Sequence, residues 1–276
     1  MAPPRRRFTM IKGGSPAHGP GFWDAAQYHR FAAERSRAFF DLLARVPCGD
    51  VSRVADLGCG AGELTRTLIE RWPGAVVWGV DLSPDMLAAA AAAAAHPNLR
   101  FVQADLSTWR PEHPLDRIIC NAALQWVEGH GPLLERLARL LAPCGTLAVQ
   151  MPNNSSSPAH RLLAGLASSE PWASSLGAGV WRPSVEAPQW YERRLRSAGL
   201  EVDLWETVYY HRLGGPGDVL EWMKGTALRP VLARLAARRR SEFLRVYGQA
   251  LRRAYPEAPD GTIFPFRRMF FVARRG

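Results

Sequence analysis

Asp56-Leu57-Gly58-Cys59-Gly60-Ala61-Gly62 is the stretch of this chain whose residue types and spacing speak most directly of chemistry. It follows a short apolar run, Val51 to Ala55, and precedes a helical pattern, Glu63 to Trp72, so it reads as strand, glycine turn and helix opening. Glycine suits a turn that needs positive φ or close backbone approach, and a helix N-terminus offers N–H groups to a ligand. The spacing is G-x-G-x-G with an acid two residues ahead, not the G-x-G-x-x-G of dinucleotide sites, and the Gly-Lys-Ser/Thr ending of a phosphate-binding loop is absent. Two further acids, Asp81 and Asp105, end the next two strand-like runs. Asp81 lies about 20 residues past the turn, where a ribose-hydroxyl acceptor is expected, and Asp105 suits an adenine amino group. One such acid is often a helix cap; three at one sheet edge beside this loop point to a nucleoside-bearing cofactor.

Positioning these groups requires a parallel sheet, whose ligands sit outside the carboxyl ends of its strands. Ala75 to Asp81, Leu99 to Asp105, Leu115 to Cys120 and Thr146 to Met151 read as further strands. Between them lie helical patterns. Ser83-Pro84-Asp85 caps one that runs through the alanines 88–95, whose small side chains allow close approach to the sheet, and Leu133, Leu134, Leu137, Leu140 and Leu141 mark another, ended by Pro143-Cys144-Gly145. This alternation predicts a doubly covered α/β sheet. Beyond a polar linker, Asn153 to Pro158, the expected elements are a mixed helical stretch from Ala159 to Ser197 and a long strand from Leu200 to Leu213. Helices broken at Arg229-Pro230 follow over residues 218–255, then a last strand from Thr262 to Ala273.

The acidic G-x-G-x-G loop resembles the S-adenosylmethionine loop of class I methyltransferases. In that fold the end of the fourth strand, Asn121-Ala122-Ala123-Leu124-Gln125-Trp126, faces the methyl group. Base N-methyltransferases carry Asn/Asp-Pro-Pro-aromatic there; this chain lacks Pro-Pro, which argues against amine methylation of nucleic acid.

A more specific resemblance runs over residues 22 to 275. Asp24, Tyr28, Phe31, Ala33-Glu34-Arg35-Ser36-Arg37 and Asp41-Leu42-Leu43-Ala44-Arg45-Val46-Pro47 resemble the opening of trans-aconitate 2-methyltransferases. So do Ala55 to Gly60, Leu124-Gln125-Trp126, Leu147-Ala148-Val149-Gln150-Met151-Pro152 and Glu201-Val202-Asp203-Leu204-Trp205. Tyr209-Tyr210-His211, Leu228-Arg229-Pro230 and Phe271-Val272-Ala273-Arg274-Arg275 extend the match into the second half; the segment Ser155 to Pro188 matches poorly. The resemblance implies methyl transfer from S-adenosylmethionine to one carboxylate of trans-aconitate. It also implies a Rossmann-like sheet of seven strands, mostly parallel, with a reversed last strand. On this reading residues 1–20 are a disordered tail and 21–276 the methyltransferase domain. Within that domain, 22–47 form an N-terminal capping helix, 51–151 the cofactor core, and 155–197 and 215–256 helical cap segments over the cleft.

The expected cofactor set is Arg35, Asp56, Gly58, Cys59, Gly60, Gly62, Asp81, Leu82, Met86, Asp105, Leu106, Asn121 and Ala122. Arg35 is expected to reach the cofactor's carboxylate and Asp56 to face its ammonium or sulfonium charge. A carboxylate substrate is ionised at neutral pH, with a pKa near ~4, so no acid/base pair, catalytic side chain or metal is expected; alignment does the work. Holding the remaining carboxylates calls for arginine, whose planar fork binds them bidentately. Arg229 and Arg267 are the candidates, with Tyr28, Gln125, Trp126, Tyr209, His211 and Trp222 closing the pocket. The bland alternatives are surface ion pairs for the arginines and ordinary core for the aromatics.

The net charge of +10 is almost all arginine, with Lys12 and Lys224 the two lysines, and favours anionic partners. It also keeps two other readings in view: a methyltransferase for a carrier-bound acyl acid, and a nucleic-acid-binding protein on the same scaffold. Cys48, Cys59, Cys120 and Cys144 form no C-x-x-C pair, so zinc and redox motifs are not expected. No apolar run reaches the ~18 residues of a membrane helix, and Arg5-Arg6-Arg7 has no apolar stretch behind it as a secretory signal would. A cytoplasmic monomer is expected.

Overall fold

Short β-branched and apolar runs separated by helical stretches cannot pair as hairpins; they line up in parallel with their helices packed on the faces. The computed structural model shows this arrangement and describes residues 32–93, 96–177 and 185–276, with side chains from residue 36 onward. Residues 1–20 and Tyr28 lie outside the described residues. Five parallel strands come first: β1 (Arg53–Leu57), β2 (Val76–Asp81), β3 (Leu99–Gln103), β4 (Leu115–Asn121) and β5 (Leu141–Pro152). They are followed by β6 (Leu200–Leu213) and β7 (Thr262–Arg275), giving the order β3-β2-β1-β4-β5-β7-β6, with β7 antiparallel to both β5 and β6. The seven-stranded sheet with its reversed last strand is therefore present.

Helices α1 (Ala32–Leu43) and α2 (Glu63–Arg71) cover one face through Phe39, Leu42, Leu68 and Ile69. Helix α3 (Pro84–Ala93) buries Met86, Leu87 and Ala90. Helices α4 (His130–Leu140) and α7 (Pro188–Ser197) cover the other face through Leu133, Leu134, Leu137, Tyr191 and Leu195. The short helices α5 (Pro158–Ala167) and α6 (Ala173–Leu176) join α8 (Pro216–Lys224), α9 (Arg229–Arg234) and α10 (Ala237–Ala254), inserted between β6 and β7. These build a separate core around the fully buried Trp222, with Trp172, Phe243, Tyr247 and Phe264.

Two local expectations are corrected. Pro143-Cys144-Gly145 does not end a helix; α4 stops at Leu140, and the tripeptide is a bulge in β5, where the register jumps from Leu115↔Leu141 to Arg117↔Thr146. Pro143 has no N–H for the ladder, Cys144 takes φ 59°, and a Cβ on Gly145 would sit 2.7 Å from the Ala142 carbonyl oxygen, so the strand loops out there. Arg229-Pro230 does not merely interrupt helices: Pro230 occupies the first turn of α9, where its missing N–H is harmless.

Candidate active site

The carboxyl ends of β1 to β4 open into a cavity of about 370 Å³. Of the residues expected at a cofactor, Asp56, Gly58, Cys59, Gly60, Gly62, Asp81, Leu82, Met86, Asp105, Leu106, Asn121 and Ala122 all line it, joined by Phe39 from α1 and by Trp126. The side chain of Arg35 lies outside the described residues.

The loop is held by geometry that only glycine provides. Gly58, Gly60 and Gly62 have φ of 78°, 56° and 72°. A Cβ on Gly58 would stand 2.3 Å from Ala123 Cβ, and one on Gly62 would stand 2.7 Å from Phe101 Cζ. Gly60 differs: no heavy atom lies within 4 Å of its would-be Cβ, so that position faces open space. The Gly58 and Cys59 amides both donate to the Val80 carbonyl, which ties the loop to β2.

Each acid has a distinct setting. Asp81 Oδ2 accepts from the Gly60 amide and Oδ1 from the Ser83 amide, both at 2.9 Å, so one carboxylate fixes the glycine loop and the start of α3. A carboxylate has about four acceptor sites, which leaves capacity for two hydroxyl donors. Asp105 caps its own turn, Oδ1 accepting from the Ser107 amide and hydroxyl at 2.7 Å. Arg136, from α4, donates to the Leu106 carbonyl and, at 2.7 Å, to that of Trp109, holding this loop against the cavity; burial draws its pKa down. Asp56 is buried and accepts from Thr65 Oγ1 at 2.6 Å; burial lifts its pKa to about 6, partly offset by that bond, with the nearby Asp81 charge adding to the rise. Burial and the same two carboxylates push the Cys59 thiol far up, so it stays protonated and is no nucleophile.

At the end of β4, Ala122 takes φ 53°, an uncommon left-handed conformation for alanine, and Gln125 Nε2 donates to its carbonyl at 2.6 Å. Asn121 Oδ1 is buried without a hydrogen-bond partner. An orphaned acceptor in a ligand-sized cavity is costly unless a ligand donor satisfies it. The 3₁₀ turn Leu124–Trp126 is anchored by His130, whose ring bonds the Leu124 carbonyl and the Tyr191 hydroxyl, and this sets Trp126 at the rim.

The other expected substrate residues among those described, Gln125, Tyr209, His211, Trp222, Arg229 and Arg267, do not line this cavity. Tyr209, His211 and Trp222 come together in one aromatic row, with His211 centroids 6.0 Å from Tyr209 and 4.9 Å from Trp222. The Tyr209 hydroxyl donates to Asp41 Oδ2 at 2.5 Å, and burial and that bond raise its pKa. Arg229 starts α9, half-buried. Arg267 is exposed and pairs with Glu206 at 3.8 Å, while its backbone N–H donates to Asn154 Oδ1. Strand alternation gives the inward position to the neighbour, Arg268, which sequence reasoning passed over. No residue of 155–177, 185–197 or 215–256, expected as a cap, lines the cavity.

A family described as "Methyltransferase domain" matches residues 54–145, the span that builds this cavity. Solved structures share the fold: the YcgJ protein from Bacillus subtilis aligns with a TM-score of 0.57 at 16% identity, over 87% of this chain and 98% of that one. Curated relatives reach further. A protein named trans-aconitate 2-methyltransferase in Streptomyces avermitilis is 48% identical over 267 residues, 94% of this chain and 99% of the relative. The chain belongs to the trans-aconitate 2-methyltransferase family. A second member, from Methylobacterium nodulans, is 48% identical over 92% of this chain and 98% of its own length, and one from Mycobacterium tuberculosis is 42% identical over 92% and 97%. The family likeness thus continues past the cavity into β6, the helical insert and β7, where the aromatic row and the buried arginine lie.

Proposed function

We propose that this protein transfers the methyl group of S-adenosylmethionine to one carboxylate of trans-aconitate, forming a monomethyl ester. The observation that carries the reading is identity of 48% sustained over 99% of a relative bearing that name, in both the cofactor half and the second half. The residues present suit the cofactor: a glycine loop closed around open space at Gly60, two carboxylates at the edge, and an unsatisfied acceptor, Asn121 Oδ1, in the wall. Asp81 would hold the ribose hydroxyls, Asp105 the adenine amino group and Asp56 the cationic end. When bound, S-adenosylmethionine supplies a methyl group already activated as a sulfonium.

The protein's own task is then small and geometric. The acid arrives ionised, so no base is required. The rigid turn at Ala122 to Trp126 and the loop Gly58 to Gly62 fix the donor; the acid's other carboxylates must be fixed as well. Such alignment supplies up to roughly 7–11 kcal/mol of rate enhancement. Incubation with methyl-labelled S-adenosylmethionine and trans-aconitate, cis-aconitate, isocitrate and citrate is expected to give base-labile label on trans-aconitate foremost. No such label on any acid would end this reading, and label only on a carrier-bound acyl acid would favour the alternative substrate.

Asp56 makes cofactor binding depend on pH. Its folded pKa of about 6 exceeds the ordinary 3.8, so the native ligand-free protein binds that proton more tightly than the unfolded chain. Its contribution to stability is fully present below the ordinary value and is lost as pH rises through 6. A cationic ligand demands the ionised form, so affinity for S-adenosylmethionine should rise about tenfold between pH 5 and pH 7. Calorimetry on Asp56→Asn should give a flat profile over that range; an equally steep one would remove Asp56 from the role.

The substrate is a small molecule, and no helix among the described residues is long and apolar enough to cross a membrane. We read the protein as a cytoplasmic monomer without a nucleic-acid partner, in keeping with four free cysteines.

A further inference from the structure

Helices α5 and α10 each carry more apolar surface than their shared core uses. On α5 that core takes Ala159, Leu163 and Ala167; on α10 it takes Phe243, Tyr247 and Leu251. A second apolar line at helical spacing runs beside the first, through Leu162 and Leu166 on α5 and through Val246, Ala250 and Ala254 on α10. These second lines border an open groove of about 590 Å³. It is preformed: Tyr247 Oη donates to the Ala159 carbonyl at 2.9 Å, and the Ala159 amide donates to Tyr255 Oη at 3.1 Å, which fixes the two helices against each other. Small residues keep it open, and a Cβ on Gly165, in its wall, would meet no heavy atom within 4 Å. Charge surrounds it. Arg161 is part of the lining, and Arg239 and Arg253 stand seven residues either side of Val246, on the same line of α10. The whole of α10 holds six arginines against one glutamate. That glutamate, Glu242, meets Arg239 at 3.8 Å on the exposed surface, a pair worth little, and among the described residues Arg161 and Arg253 belong to no ion pair.

An apolar groove with a basic rim calls for an occupant that is apolar on one side and acidic on the other. We propose that it docks an acidic amphipathic helix of a partner protein, whose apolar face enters between α5 and α10 and whose carboxylates meet Arg161, Arg239 and Arg253. Two adjacent helices offer ridges that a third helix interlocks with, whereas an extended peptide would need a free sheet edge. A second copy supplies no such helix: the most acidic described ones, α3 and α8, have one net negative charge each. The segments 1–31 and 178–184 have the wrong sign, with Arg5, Arg6, Arg7, Lys12 and Arg30 against Asp24 in the first and Arg182 in the second. A membrane is the poorer match, because the exposed large apolar side chains of the described residues, Phe40, Leu82, Val208, Tyr210 and Ile263, all lie off α5 and α10. Docking here is independent of the methyl-transfer reading, since no groove residue lines the cofactor cavity.

The probe is a fluorescein-labelled helical peptide of about 18 residues, with leucines along one face and glutamates flanking them, titrated by anisotropy against the full chain. Saturable binding that weakens as salt rises is expected. Gly165→Phe places a ring in the groove and replaces a helix-weakening glycine where a side chain meets nothing, so it should hold or raise the melting temperature while weakening the peptide at least about 30-fold. Joint reversal by Arg161→Glu, Arg239→Glu and Arg253→Glu should abolish binding of the acidic peptide and confer binding of its lysine counterpart. Methyl transfer should be unchanged in both proteins. If Gly165→Phe does not fold, the charge reversal alone decides. No saturable binding by the wild-type chain, or undiminished binding by a folded Gly165→Phe variant, would overturn the proposal. Equal affinity for polyglutamate, or for phosphatidylserine vesicles, would overturn it too, because charge alone or a lipid surface would then account for the groove. Absence of methyl transfer in the wild-type chain would bear on the earlier reading and leave this one standing.

Discussion

Gly58→Ala is expected to lose about 2–4 kcal/mol of stability and all measurable cofactor binding. Its φ of 78° costs a side chain about 1–2 kcal/mol. The new Cβ would stand 2.3 Å from Ala123 Cβ, on a segment already committed to a positive φ at Ala122, so relief requires moving the end of β4. Gly60→Ala supplies the contrast. At φ 56° with no neighbour within 4 Å, it should cost the ligand-free protein only about 1–2 kcal/mol while placing a methyl group where the cofactor approaches the loop. Urea unfolding and cofactor calorimetry on the pair should therefore show a large stability loss for Gly58→Ala and, for Gly60→Ala, a binding loss out of proportion to its stability loss. Equal stabilities, or full cofactor affinity in Gly60→Ala, would contradict this account of the loop.

Asp81→Ala should raise the cofactor Kd at least about 100-fold. Two effects combine. On the proposed role of Asp81 the ribose loses a charged acceptor worth about 1.5–3 kcal/mol per hydrogen bond, and the amides of Gly60 and Ser83 lose the carboxylate that holds them at 2.9 Å. The loop is thus loosened by the same change that removes the ligand contact. Asp81→Asn should fall between, because an amide has a single acceptor oxygen for two backbone donors. Unchanged affinity by calorimetry in Asp81→Ala would dismiss the ribose assignment.

These effects concern the half of the protein that was most legible. The alternation of strands and helices, the glycine loop and the acids at 56, 81 and 105 follow from local rules: period-2 and period-3.6 patterning, and the backbone freedom of glycine. Leucine spacing carries helix α4 to its end at Leu140, but the stop signal that Pro143-Cys144-Gly145 offers is absorbed by β5 as a bulge. That absorption depends on what β4 offers as a partner across the sheet, and no single segment contains this information.

The second half of the chain shows the limit more sharply. Arg267 and Arg268 are adjacent and chemically identical, and their sequence positions favour neither. The pairing of β7 with both β5 and β6 decides that Arg268 turns inward beside Gln150, while Arg267 meets Glu206 outside. Trp222, His211 and Tyr209, distant in sequence, form one row only because the helical insert folds back over the ends of β6 and β7. Sequence alone thus settled the chemical type of the site, a turn for an adenosyl donor and a family of carboxylate methylators. Tertiary structure selected which side chains are dry and which are wet, because burial is a property of the whole packed sheet and not of any one segment.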